Sequence, residues 1–196
     1  MKHTVREYLP DSLQPYEPSL YAIVREAIAL FLVRFGTLRA GMTIRSERSN
    51  IHDCMVEMAK RFFPANSFFS QNLFTLRVGG HQIKLKKHNE SLETSSQPTQ
   101  MVLAFDSQER TDLFGEVQNT NIQLGYIPDG LDLMKSSILI TCPRAHKKID
   151  WVYELRPDSG ATLSPIPTTT LPDGPSARPS VTPKRLPNTG ESKEKE

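Results

Sequence analysis

The sequence predicts an α+β protein: two N-terminal helices packed on one face of a five- to six-stranded, mainly antiparallel sheet, followed by a disordered C-terminal tail. Three observations predict it. Apolar residues recur every 3.6 positions as far as Phe62, then every second position from Leu73 onward. Several of the later alternating runs are joined by turns too short for a parallel crossover, which needs a dozen or more residues. And from Pro157 to Glu196 the chain carries eight of its 15 prolines and none of its aromatic residues. A segment of that composition buries too little apolar surface to offset the entropy lost on ordering.

The first helix is expected from about Ser19 to Phe35. Pro18 suits its first position and Gly36 its stop. Leu20, Val24, Ala27, Ile28, Phe31 and Phe35 form its stripe, and Ile23, Leu30, Leu32 and Val33 widen it. The second helix is expected from about Ile51 to Phe62, with Asn50 as N-cap and Pro64 beyond its end. Ile51, Cys54, Met55, Met58 and Phe62 make its apolar face.

The change of period follows. Leu73 to Val78 and His81 to His88 alternate around Gly79-Gly80, a two-residue hairpin signal, since glycine accepts the positive φ of primed turns. That register sets Val78 opposite His81, Leu76 opposite Ile83 and Phe74 opposite Leu85, all on one face. Further strands are expected at Met101–Phe105, Asn121–Ile127, Ser137–Cys142 and Ile149–Leu155. In the last, Ile149, Trp151, Tyr153 and Leu155 share one side. Residues 1–156 then form a single domain, and 157–196 a tail of polyproline character.

Composition narrows the function classes without naming one. With 24 basic and 22 acidic residues the net charge is +2, far from that of a histone-like protein. Two cysteines, Cys54 and Cys142, do not make a disulfide scaffold. Residues Met1 to Asp11 lack the pattern of an export signal, and the most apolar stretch, Leu20 to Phe35, carries three charges. A cytoplasmic, non-membrane protein is the expectation. Leu186-Pro187-Asn188-Thr189-Gly190 resembles the sortase sorting signal of Gram-positive surface proteins. The apolar segment and basic tail that this signal requires do not follow it here.

The hairpin carries the clearest charged feature. Arg77, Lys84 and Lys86 fall on the side away from its apolar residues, with Lys87 and His88 at the end, and residues 73–88 contain no acid. Like charges this close on adjacent strands repel. A protein or nucleic-acid partner bearing negative charge would relieve that repulsion. The first functional expectation is therefore a non-enzymatic binding or regulatory protein that uses Arg77, Lys84, Lys86, Lys87 and His88.

No catalytic set, metal site or cofactor is expected. His52, Asp53 and Glu57 share a region of the second helix, where Lys60 and Arg61 balance them. Cys142 and His146 lie four apart, but Cys142 falls on the apolar side of its strand. An alternative is a metal-dependent nuclease or phosphodiesterase using Asp106, Glu116 and Asp129. The α+β arrangement resembles that of two-metal nucleases of the restriction-endonuclease type. Those also need an Asp and then an acid-x-Lys motif in successive strands; the nearest match here, Glu154-Leu155-Arg156, has Arg in place of Lys. A further alternative is a subunit of an obligate complex, completed by addition of a partner strand.

Overall fold

The computed structural model describes residues 4–70, 73–94, 99–108, 120–130, 132–145 and 147–157. The proposed tail from 158 onward, the sorting-like pentapeptide, Glu116 and His146 lie outside these residues.

A short strand β1 (Thr4–Val5) leads to the helix α1 (Glu17–Phe35). Pro18 sits in the first turn, as the sequence indicates. The second helix, α2 (Ile44–Phe62), begins seven residues earlier than expected, because Thr43 rather than Asn50 is its cap. The Thr43 hydroxyl accepts a hydrogen bond from the Ser46 amide at 3.1 Å. Asn50 lies inside the helix and donates from Nδ2 to the Ser46 carbonyl at 2.9 Å. Apart from the exposed Ile44, polar residues fill these first two turns, so they carry no apolar stripe to read.

Strands β2 (Ser67–Ser70), β3 (Leu73–Val78) and β4 (His81–Lys87) form an antiparallel meander. The hairpin register is the expected one, with Leu76 opposite Ile83 and Val78 opposite His81. Gly79 and Gly80 turn it with φ of 57° and 76°. A side chain at Gly79 would also collide with the Ser12 backbone.

The expected strand at Met101–Phe105 is instead a helix, α3 (Gln100–Asp106). A five-residue apolar run has no period that separates a strand from a helix. Two things decide it: Thr99 caps the segment by accepting from the Val102 amide at 3.3 Å, and the connection must cross between parallel strands. Strand β5 (Asn121–Ile127) is parallel to β4, so the chain returns over the sheet through α3. Strands β6 (Ser137–Ala145) and β7 (Lys148–Leu155) complete the sheet as an antiparallel pair.

The sheet therefore has seven strands in the order β1-β7-β6-β5-β4-β3-β2, and it is mixed rather than mainly antiparallel. The edge strand β1, too short to show a period, pairs parallel to β7.

One face packs on α1 and α2. Leu20, Ile23, Ile28 and Phe31 of α1 and Ile51, Met55 and Met58 of α2 meet Leu76, Ile83, Ile122, Leu124, Tyr126 and Ile140 in one continuous core. The other face is mostly polar, with a small apolar patch of Leu92, Leu139 and Val152. Ile149 joins that patch and not the main core. Register shifts around Pro143 carry its side chain to the opposite side from the one its spacing implies.

Candidate functional site

The alternation of β4 places Gln82, Lys84, Lys86 and His88 on the sheet face away from α1 and α2, and Lys87 on the face toward them. The five candidate basic residues thus do not share one solvent face, and only Arg77 is exposed. Its guanidinium lies over the Phe68 ring, 4.7 Å from the centroid.

Lys84 is half-buried beneath α3, its ammonium 3.9 Å from the centroid of Phe105. Burial, aided by Lys86 and opposed by Asp106, pulls its pKa down to about 8. Burial likewise lowers Lys86, again against the pull of Asp106. Lys87 is lowered by burial and by the neighbouring Arg48 and Arg39, with Glu47 in opposition. Spacing alone implies an open basic stripe; α3, whose apolar run reads equally as a strand, lies over Lys84 in that stripe.

His88, the last residue of the candidate cluster, is buried, being only 1% exposed. Its Nδ1 donates to the Leu92 carbonyl at 3.1 Å, which leaves Nε2 as a bare acceptor. Nε2 is buried and has no hydrogen-bond partner. Burial pushes the ring down to about 4, so it is neutral at pH 7. Gly125 makes room for it: a Cβ there would stand 2.9 Å from Cδ2 of His88 and collide with the Lys86 backbone.

Around this histidine the second face is a layer of buried polar groups. Asp106 accepts from Gln123 Nε2 at 3.2 Å, and Asn121 Nδ2 donates to the Phe105 carbonyl at 3.0 Å. Gln123 Oε1, Asn121 Oδ1 and Thr141 Oγ1 are buried without partners.

Two hollows open on either side. A groove of about 320 Å³ runs between the hairpin and α3, lined by Phe68, Arg77, Gln82, Lys84, Met101 and Phe105 among others. None of its described lining residues is acidic. A larger cavity of about 760 Å³ lies beyond the ends of β4 and β5 and takes in Lys87 and His88. The sequence cluster is thus divided, Arg77 and Lys84 facing one hollow and Lys87 and His88 the other.

The remaining candidates do not converge. Glu57 is paired with Arg34 of α1 through bonds of 2.6 and 3.1 Å, which hold its carboxyl below the ordinary range. His52 and Asp53 approach only to 3.8 Å. Burial drives the Cys142 thiol up to about 11, far from a ready nucleophile. Asp106 is buried in the polar layer, whereas Asp129 is exposed past the far end of β5. Among the described residues no three His, Cys, Asp or Glu side chains group as metal ligands. Nor is any described helix long and apolar enough to cross a membrane. No protein-family model, curated protein or solved structure matches the chain.

Proposed function

We propose that this protein is a non-enzymatic binding protein that takes an anionic partner into the groove between the hairpin and α3, and that single-stranded nucleic acid is the partner class. One observation carries the reading: the groove sets two cations, Arg77 and Lys84, against two aromatic rings, Phe68 and Phe105, with no acid among its described lining residues. Grooves that follow a nucleic-acid strand combine positive charge with aromatic rings. Gln82 adds a donor and an acceptor between the two cations.

Fluorescence anisotropy with labelled single-stranded DNA and RNA tests it. Binding should weaken as salt rises, and Arg77→Ala should weaken it about fivefold without moving the thermal midpoint. Absence of binding to either strand at low salt, or capture of an acidic peptide in their place, overturns the nucleic-acid reading.

A second reading, partner-strand addition, rests on β2, which has no neighbour on its outer side among the described strands. Phe69 on that strand is 55% exposed. Sedimentation of the purified chain as a concentration-independent monomer would count against it.

A further inference from the structure

The connection between α1 and α2 belongs to neither reading above. It runs through a 3-10 helix (Gly36–Gly41) to the Thr43 cap. From Val33 to Asn50 the chain carries four arginines and a single acid, Glu47. That acid is already engaged, since Arg39 Nε donates to its carboxylate at 3.1 Å. Arg34 is tied back to Glu57 of α2. Arg45 and Arg48 are both exposed.

These cations crowd toward the end of β4. Lys87 there is pulled down by burial first, then by Arg48 and Arg39, with Glu47 in opposition. An anionic surface brought up to this end of the molecule relieves that repulsion.

Aliphatic side chains stand among the arginines. Val33, Leu38 and Ile44 are 85%, 61% and 70% exposed. The segment that carries them is built rather than slack. The Met42 amide donates to the Arg39 carbonyl at 3.0 Å, and the Thr43 hydroxyl caps α2. Phe35 and Met42 turn inward and pack against the main core, whereas Leu38 and Ile44 are held out. The surroundings are open: a Cβ added at Gly36 or at Gly41 would meet nothing within 4 Å.

Aliphatic tips set among basic residues are the composition of surfaces that lie in the membrane interface. Anionic headgroups attract the cations, and the boundary of the acyl chains takes the aliphatic tips. A protein partner would have to bring a matching pocket for each isolated tip; a bilayer needs none. Such attachment requires no spanning helix, and none is found among the described residues.

We infer that the connection between α1 and α2 is a docking surface for an anionic lipid bilayer. Leu38 and Ile44 enter the boundary between headgroups and acyl chains, with Val33 beside them, and Arg45 and Arg48 meet the lipid phosphates. The hairpin groove lies on the sheet face away from α1 and α2, so the two surfaces act independently.

Co-sedimentation of the full chain with vesicles tests this, one set of phosphatidylcholine alone and one of equal parts phosphatidylcholine and phosphatidylserine. The mixed vesicles should bind at least about tenfold more tightly, and less so as salt rises. Leu38→Ser with Ile44→Ser should weaken that binding about tenfold, and Arg45→Ala about fivefold. All three side chains are exposed, so the thermal midpoint should hold. Should the double variant melt early, Leu38→Ser alone is read in its place. Arg77→Ala, in the other groove, should leave vesicle binding unchanged. No binding to the mixed vesicles at low salt overturns the inference. So does equal binding to phosphatidylcholine alone, or indifference to the loss of the aliphatic tips. Loss of self-association in the double variant, with vesicle binding intact, marks the surface as an interface between copies and overturns it too.

Discussion

The charge of Lys84 is set by what packs around it. Its ammonium is held between a ring, a neighbouring lysine and a buried carboxylate, and its pKa falls from the ordinary 10.5 to about 8. The unfolded chain therefore binds more protons than the folded one between those two values, and stability contributed at this site rises with pH across that window. Lys84→Met should flatten the rise in a series of denaturant melts. Ligand binding runs the other way: anion affinity of the hairpin groove should drop as pH passes 8, and the same substitution should remove the step. His88 is shifted in the same direction, from 6.5 to about 4. Its stabilising effect is complete above pH 6.5 and is lost as pH falls toward 4, because only the unfolded chain takes up the proton. Proton NMR should accordingly show no titration of this ring above pH 5; a midpoint near 6.5 would contradict its burial. Both lysines and the histidine were visible in the sequence as a basic run. Their unequal burial was not, because segments that the run does not contain impose it, α3 over Lys84 and the Leu92 loop over His88.

At the scale of elements, one side chain next to α3 makes three of the hydrogen bonds that fasten it to the sheet. Gln108, just past the helix, donates from Nε2 to the Asn121 carbonyl at 2.8 Å and to the Pro143 carbonyl at 2.7 Å. Its Oε1 accepts from the Asn121 amide at 2.8 Å. It thereby ties the helix to the starts and bends of β5 and β6. Gln108→Ala should cost about 1–3 kcal/mol and speed amide exchange in α3 before the rest of the sheet. Exchange that rises uniformly would show that α3 is not held locally. Gly125 is the corresponding point in β5, where the strand must pass beneath His88 and against the Lys86 backbone. Backbone cannot yield as a side-chain tip can, so Gly125→Ala should cost about 3 kcal/mol of unfolding free energy, read from chemical denaturation. The hairpin, α1 and three of the later strands could be read from spacing, because each has its own period and its own turn or stop residues. The helix at 100–106 could not, being one short apolar run that only a cap and a parallel crossover resolve.

For the molecule as a whole, helices cover both faces of the sheet, but unequally. The α1–α2 face is a continuous apolar core; the α3 face holds His88, Asp106, Asn121, Gln123 and Thr141 buried together. The composition break at Pro157 predicts that a chain ending there keeps its thermal midpoint within about 2 °C of the full chain. A larger drop would mean that the Pro-rich residues contribute to the folded unit. The sequence by itself determined the class of fold, the apolar faces of both long helices and the hairpin register, since periodicity and turn chemistry are local properties of neighbouring residues. Only the tertiary structure decided that β4 and β5 run parallel, that a helix lies over Lys84 in the basic run, and that a cavity opens where those two strands end. These depend on which distant segments lie side by side, and no local period records that.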